Sequence, residues 1–264
     1  MKKLFAMILA TSVLYVACSD SDDVQPRPHP ESISAVYLMD NEQQHNPINL
    51  VGGNSIFEYT GDKVIKRIGG FIVTNPATGL PWIYTKDVYD SVVYLNKNTI
   101  RIFAAINFEG RTIEPNEREI TLEDDRPVRK ITAIDLETGK RADTIFYYYD
   151  AQNRIERTEQ HFDWIIITRT YTFNATGNLI KISGVIKNSG GVMYTTEETF
   201  GGYDDRPNPL KGLCLWPDYF YRSLSNNNFT TYTYIAEGAY FGVKEESRNW
   251  TLVYDSNGNV DYSK

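Results

Sequence analysis

The chain alternates apolar and polar residues over short stretches that are separated by turn-forming residues. Residues 169–173 and 230–234 place an aromatic side chain at alternate positions, with hydroxyl or charged residues between them. Successive side chains of a strand point to opposite faces, so this pattern predicts half-buried β-strands. The sequence therefore predicts an all-β protein made of short antiparallel strands.

A six-position spacing recurs along the chain: an aromatic or aliphatic residue is followed six positions later by an aliphatic one, with turn formers between them. The copies are Tyr59 to Ile65, Tyr94 to Ile100, Leu122 to Val128, Tyr149 to Ile155, Phe173 to Leu179 and Tyr254 to Val260. Each copy predicts a tight hairpin whose first and last residues share one face.

The fifth position of each copy predicts the turn geometry. It is occupied by Gly258, Gly177, Asn153 and Asn98 in four copies. Glycine and asparagine suit the left-handed residue that closes a three-residue hairpin loop with a bulge. Lys63 and Arg126 stand there in the other two copies, which predicts a different turn geometry for them.

A single hairpin is marginally stable, so the copies are expected to stack side by side in one sheet. At one strand per 8 to 12 residues, residues 34–264 would hold on the order of 16 to 20 strands. We therefore expect a single antiparallel meander, either a curled open sheet or a flattened porin-like barrel. Residues 154–161 carry charges on both faces, which argues against strands embedded in lipid.

Composition and charge exclude two classes of protein. Strand-favouring aromatic and β-branched residues are abundant, and aromatic residues alone make up 13% of the chain, which excludes a helical bundle. The formal net charge of -7 offers no electrostatic footprint for a nucleic-acid backbone.

The N-terminus predicts export and lipid attachment. Lys2 and Lys3 precede an apolar run over residues 4–16, which is shorter than a membrane span and is typical of a signal peptide. The run ends at Cys18 in a segment that resembles the lipobox of bacterial lipoproteins. This resemblance implies a signal peptide over residues 1–17 and a mature N-terminus lipidated at Cys18. Residues 18–33 are then a flexible, proline-rich tether.

Two further resemblances concern location and fold. Residues 19–23 resemble the acidic export signal of Bacteroidetes surface lipoproteins, which implies the outer membrane of a Gram-negative bacterium and exposure at the cell surface. Residues 149–155 and 254–260 resemble the tyrosine-aspartate repeats of RHS-type proteins. Residues 203–210 and 224–228 are similar to a late loop in Bacteroidetes lipoproteins of unknown function with a porin-like fold.

A search for chemistry assigns no catalytic residue. His29, His45 and His161 lack metal-ligand spacing, and the sequence matches no nucleotide-binding motif, so we expect no metal and no cofactor. Adjacent acids at residues 123–125, 197–198, 204–205 and 245–246 motivate one alternative, a secreted carboxylate-dependent glycoside hydrolase.

Residues 213–221 form the densest apolar segment after the signal peptide, and Pro217 excludes an interior strand there, leaving a loop or short helix. Trp216, Tyr219 and Tyr221 are the candidate binding residues. Their rings would either plug one end of the sheet, with Cys214 as a small buried apolar residue, or form a platform for a sugar or peptide.

These observations together predict a lipid-anchored envelope protein without catalytic activity. The expected role is that of a binding or accessory module for a glycan, a peptide or an outer-membrane partner. A purely structural surface protein is the remaining alternative.

Overall fold

The structure, a computed structural model, describes residues 30–39, 53–73, 82–106, 117–133, 143–239 and 242–264. The predicted signal peptide, Cys18, and the tether up to residue 29 lie outside the described residues. Within the described ranges, no helix is both long and apolar enough to cross a membrane.

Fourteen strands form one antiparallel sheet in which every strand pairs with its neighbours in sequence. The strands are β1 (Ser32–Ser34), β2 (Asn54–Thr60), β3 (Lys63–Val73), β4 (Trp82–Asn96), β5 (Thr99–Ile106), β6 (Glu117–Glu123), β7 (Arg126–Ala133), β8 (Asp143–Tyr149), β9 (Ile155–Phe162), β10 (Ile165–Phe173), β11 (Leu179–Asn188), β12 (Gly191–Gly201), β13 (Thr231–Gly238) and β14 (Gly242–Asn249). One 3-10 turn, Ala35–Tyr37, and one helix, α1 (Pro217–Ser223), complete the described elements.

The all-β meander is confirmed, and of the two predicted forms the structure adopts the open sheet. Over the described ranges, no strand pairing joins β14 to β1. The described ranges hold 14 strands against the expected 16 to 20, and several of these strands are longer than the average: β4 has 15 residues, and β3 and β12 have 11 each.

The first strand begins before the predicted domain boundary at residue 34. β1 contains Ser32 and Ile33, which the sequence analysis assigned to the tether, and Ser32 pairs with Ile56 of β2. Ile33 is fully buried, so the folded region takes in the last residues of the proline-rich segment.

All six copies of the spacing lie at a hairpin turn. Tyr94 pairs directly with Ile100 and Tyr149 with Ile155, and the first and last residues of two further copies pair in the same way. In the copies that begin at Tyr59 and Leu122, a bulge shifts the pairing by one residue.

The backbone conformation at the fifth position of the spacing differs between the copies, which have two turn geometries. Asn153, Gly177 and Gly258 have φ of 61°, 79° and 78°, as the bulged three-residue loop requires. Asn98 is not among the left-handed residues of the described chain, and Asn96 pairs with Thr99 across a turn of two residues.

Lys63 and Arg126 take a different role at that position. In these copies the left-handed residues come earlier, at Gly61 in one and at residues 124–125 in the other. Lys63 Nζ lies 4.8 Å from the ring centroid of Tyr94, and Arg126 lies 4.9 Å from that of Tyr149. A cation over an aromatic face is attractive, so each residue contacts the tyrosine that begins the following copy of the spacing.

Tyrosine hydroxyls add a second link between hairpins. Tyr94 donates to the carbonyl of Val64 at 3.2 Å, and Tyr149 donates to the carbonyl of Pro127 at 2.6 Å. In both cases the acceptor belongs to the preceding hairpin, so the repeated tyrosine connects neighbouring units as well as pairing within its own.

Alternate turns fall on opposite edges of the sheet. We call one edge of the sheet the plug edge. It holds the long connection 202–230 between β12 and β13 and the turns β2–β3, β4–β5, β6–β7, β8–β9 and β10–β11. We call the opposite edge the far edge, and it holds the turns β9–β10, β11–β12 and β13–β14. Two buried apolar clusters, one mainly from β2–β6 and one mainly from β8–β13, meet at α1.

The connection 202–230 is fixed to the plug edge through Asn226. Its backbone N–H donates to the carbonyl of Gly177, and its Nδ2 donates to the carbonyl of Thr176 at 2.8 Å. A Cβ at Gly177 would overlap Asn226 Nδ2, whereas a Cβ at Gly258 would meet its nearest neighbour, Arg206, at 3.7 Å.

Gly177 and Gly258 both have a positive φ, but only Gly177 lies against Asn226. Replacing each by alanine therefore separates the cost of backbone strain from the cost of disturbing the Asn226 contact. Gly258→Ala should lower the free energy of unfolding by about 1 kcal/mol, the cost of a left-handed alanine. Gly177→Ala adds the displacement of Asn226 and should cost about 2 to 3 kcal/mol. Urea denaturation followed by circular dichroism measures both values. Equal losses would show that the Asn226 contacts contribute nothing.

Candidate functional site

Helix α1 lies in the interior of the sheet, and its sequence explains where it begins and ends. Trp216 is extended, Pro217 occupies the first turn, and Asp218 follows it near the N-terminus, where an acid is favourable. Arg222 stands in the last turn, where a cation is favourable. The predicted loop or short helix is thus a helix of seven residues.

The three candidate binding residues point into the protein. Trp216 and Tyr219 are 0% exposed and Tyr221 is 1% exposed. Phe57 of β2 lies with its ring centroid 5.6 Å from both Trp216 and Tyr219 in edge-on geometry. This packing is what the plug alternative requires, while ligand binding by the three rings stays a prediction.

A buried group of charges attaches the start of α1 to the first half of the sheet. Asp90 of β4 accepts a hydrogen bond from Trp216 Nε1 at 2.7 Å and contacts the guanidinium groups of Arg67 and Arg118. Arg67 Nη1 also donates to Asp218 Oδ2 at 2.6 Å. Two arginines and two aspartates therefore meet in a formally neutral group that joins α1 to β3, β4 and β6.

The ionisation of Asp90 follows from this arrangement. Burial by itself would raise the pKa of Asp90, but the charges of Arg118 and Arg67 and the hydrogen bond from Trp216 outweigh burial and hold the pKa below its usual value. The carboxylate is charged and fully engaged, so Asp90 is a structural group and not a proton donor.

A chain of hydroxyl groups lies beside these charges. Tyr219 Oη donates to Ser55 Oγ at 2.5 Å, and Ser55 Oγ lies 2.9 Å from Tyr84 Oη. Burial raises the pKa of Tyr219 and of Tyr84, so both phenols are neutral.

A second buried carboxyl group holds the other side of α1. Glu198 of β12 accepts from Tyr221 Oη at 2.9 Å and from Tyr232 Oη at 2.7 Å. Burial raises the pKa of Glu198, and the two hydroxyl donors and Arg169 only partly oppose this effect. The same helix is therefore bound to β12 and β13 through one acid.

Arg222 forms the third attachment, to residues that follow the first and last strands. Its guanidinium carbon lies 4.2 Å from the ring centroid of Phe229 and 4.4 Å from that of Trp250. Nε donates to the carbonyl of Tyr37 at 2.9 Å, just after β1. Burial lowers the pKa of Arg222 below its usual value. These contacts bring both ends of the sheet to α1.

The acidic doublet at residues 197–198 is divided between the two faces of β12. Glu197 faces outward and pairs with Lys181, while Glu198 faces inward. His161 pairs with Glu159 at 2.6 Å, and His29 and His45 lie outside the described residues. In the described part of the chain, no group of three metal-ligating side chains occurs.

Sequence reasoning missed the charged residues that position α1. The signal for Arg118 was present in its own strand, because Arg118 is in phase with Ile120, which is buried on the same face. A charged residue in register with apolar ones predicts a buried ion pair, although it does not reveal the partner.

No protein-family model and no curated protein matches the chain. Some solved structures do match this chain. A porin-like protein from Bacteroides vulgatus has a TM-score of 0.51 and 13% identity, covering 81% of this chain and 88% of that one. A porin-like protein from Bacteroides uniformis has a TM-score of 0.49 and 13% identity, covering 89% and 90%.

The likeness to the Bacteroides vulgatus protein concerns the fold. This chain is thus an all-β protein with a porin-like antiparallel meander that stays open and carries a helix in its interior.

Removing the charge of Asp90 should destabilise the fold strongly. Asp90→Asn leaves Arg67 and Arg118 with one carboxylate, and breaking such a buried pair costs about 3 to 5 kcal/mol. The control is Glu119→Gln, which removes the half-exposed pair with Arg101 and should cost under about 1 kcal/mol. Urea denaturation of both variants tests this, and similar small losses would contradict it.

The raised pKa of Glu198 predicts a pH dependence of stability. A carboxyl whose pKa is higher in the folded state contributes stability below about pH 4.3, the ordinary value for glutamate, and this contribution is lost as pH rises. Glu198→Gln cannot ionise, so its free energy of unfolding relative to wild type should increase from pH 4 to pH 8. Urea denaturation across this range provides the measurement. A constant difference would contradict the assignment.

Proposed function

We propose that this chain is a lipid-anchored protein of the bacterial outer membrane, exposed at the cell surface, that acts as a non-catalytic accessory module. Its support is the lipobox-like segment ending at Cys18, the acidic residues that follow it, and the porin-like meander. Of the three classes of partner considered, an outer-membrane protein fits the described surface best.

The observation that carries this choice is a row of apolar side chains at the far edge. Trp164 in the β9–β10 turn is 62% exposed, Val192 in β12 is 64% exposed, and Val243 in β14 is 66% exposed. Neighbouring hairpins are spaced by about 10 Å, so the row extends over roughly 20 Å. Grouped exposed apolar residues, tryptophan above all, are typical of protein-binding surfaces.

The entry of the chain into the domain fits this orientation. Tyr59, next to the β2–β3 turn, donates to the carbonyl of Pro30 at 2.8 Å, so the tether would leave near the plug edge. A tether of about a dozen residues spans roughly 30 to 40 Å. The far edge would then point away from the lipid and be accessible to a partner.

The far edge can be tested by crosslinking on intact cells of the native host. The triple variant Trp164→Ser, Val192→Ser and Val243→Ser should lower capture of the partner at least about tenfold, since truncating one hot-spot tryptophan costs about 2 kcal/mol and about 1.4 kcal/mol is tenfold.

The matched control for that test carries Val93→Ser and Leu95→Ser. Both residues are exposed apolar side chains of β4 close to the plug edge, at 42% and 50% exposure. The control should capture the partner as wild type does, and thermal melting verifies that both variants fold. Equal capture by the triple variant and the control would reject the far edge as the contact surface.

Anchoring is tested separately through Cys18. Cys18→Ala should remove the acyl chains from the N-terminal peptide, as mass spectrometry would show, and should move the protein from the membrane to the soluble fraction. Protease added to intact cells should digest the wild-type protein. A wild-type chain that is unlipidated, or protected from protease, would contradict the proposed location.

A further inference from the structure

The outer face of strands β8 and β9 carries a group of aromatic and charged side chains that the function proposed above does not use. Tyr147 of β8 is buried in one of the two apolar clusters, so its neighbours Phe146 and Tyr148 point to the opposite face, away from α1. Tyr148 is 39% exposed and Phe146 is half-buried. The two residues are about 7 Å apart on one strand and form a short, straight aromatic row.

Strand register places polar side chains of β9 along this row. Arg157 pairs directly with Tyr148, and Glu159 pairs directly with Phe146. His161 follows two residues later on the same face, and its ring meets that of Phe146 edge-on at a centroid distance of 5.7 Å. Each aromatic residue therefore has hydrogen-bonding groups beside it.

The charges of these β9 residues compensate each other. Arg157 Nη1 donates to Glu159 Oε2 at 2.9 Å, and His161 Nε2 lies 2.6 Å from Glu159 Oε1. The hydrogen bonds from His161 and Arg157 hold the pKa of Glu159 below its usual value, so this carboxyl group is charged. With one guanidinium opposite one carboxylate, this strip of β9 does not require a charged ligand.

The compensated pair keeps hydrogen-bonding capacity at the surface. A guanidinium has more N–H donors, and a carboxylate has more acceptor sites, than these contacts use. The guanidinium carbon of Arg157 lies 3.7 Å from the ring centroid of Tyr148, which holds its other donors next to that ring. Arg129 of β7 pairs with Phe146 from the other side and adds an exposed guanidinium.

A carbohydrate matches this surface better than a polypeptide does. The C–H faces of a sugar pack against an aromatic ring, and its hydroxyls both donate and accept hydrogen bonds. Neutral hydroxyls can bind to the paired charges without separating them, whereas an apolar protein surface would bury those charges away from water, which is costly. A peptide strand cannot add to β8, because β8 lies between β7 and β9 in the sheet.

The shape of the aromatic row selects the kind of carbohydrate. Phe146 and Tyr148 lie on a line along one strand, and the site is an open face and not a cavity. A ligand that contacts both rings must itself run straight over more than one sugar unit. Chains of β-1,4-linked hexoses have this form, whereas helically coiled glycans curve away from a straight row.

We propose that the outer face of β8 and β9 binds a straight chain of neutral hexoses. Tyr148 and Phe146 pack against the sugar rings, and Arg157, Glu159 and Arg129 exchange hydrogen bonds with the sugar hydroxyls. The site is separate from the apolar row at the far edge, so it operates independently of the protein contact proposed above.

The test is native electrophoresis of the full chain in gels that contain hydroxyethylcellulose, a soluble neutral polymer of β-1,4-linked hexoses. Migration should slow as the polymer concentration rises. Carboxymethylcellulose has the same backbone with added negative charges and reveals binding that is merely ionic. The proposal would be overturned if hydroxyethylcellulose caused no retardation, or if only carboxymethylcellulose did.

Matched variants locate the site. Tyr148→Ala should weaken the binding of hydroxyethylcellulose about tenfold, whereas Tyr148→Trp keeps an aromatic ring and should retain binding. Tyr254→Ala removes a tyrosine of similar exposure, 45%, beside the connection 202–230 and should leave binding unchanged.

Thermal melting verifies that each variant folds. If Tyr148→Ala does not fold, Arg129→Ala replaces it, because this exposed side chain should also contribute to binding and its removal should weaken binding several-fold. Binding that survives the loss of Tyr148, or of Arg129 in that case, contradicts the assignment.

Discussion

The architecture depends on a buried cation, Arg222, enclosed by aromatic rings. A guanidinium away from water is costly unless its donors and its charge are satisfied. Here two donors reach backbone carbonyls, of Tyr37 and Phe229, and rings of four residues surround the charge. Because those rings come from the beginning, the end and the long connection of the chain, enclosing this one side chain requires all three regions to be in place.

An open sheet of this length needs such a device. Each strand pairs only with its neighbours, so nothing in the ladder itself limits how far the sheet opens. Direct contacts between the two chain ends, such as the hydrogen bond from the Ser34 N–H to the Tyr262 carbonyl, supply part of this limit. The helix supplies the rest through its three attachments: the charges around Asp90, the carboxyl of Glu198, and the enclosed Arg222. These contact β3 to β6, β12 to β13, and the chain ends, respectively, and the apolar clusters fill the space between them.

The parts of this structure that are local in sequence could be predicted. A hairpin is specified by about seven consecutive residues, so the spacing from Tyr149 to Ile155 located the turn and even the left-handed Asn153. The meander follows because short connections join antiparallel neighbours. The described residues hold fewer strands than expected, since an average strand length does not apply to β4 and the connection 202–230 contains no strand.

The parts that depend on distant residues could not be predicted. Asp90 and Trp216 are 126 positions apart, and no feature of either segment identifies the other as its partner. Lys63 and Arg126 appeared as exceptions to a turn rule, whereas their function is to cover the next tyrosine ring.

The position of α1 in the sequence has a consequence for how the protein matures. Synthesis from the N-terminus delivers twelve strands before the residues that fill their interior, and a meander allows those strands to pair as they emerge. Until residue 216 appears, Arg67, Asp90 and Arg118 remain hydrated in an unfilled trough. We therefore expect the last fifth of the polypeptide, which begins near Trp216, to displace that water when α1 packs against the strands.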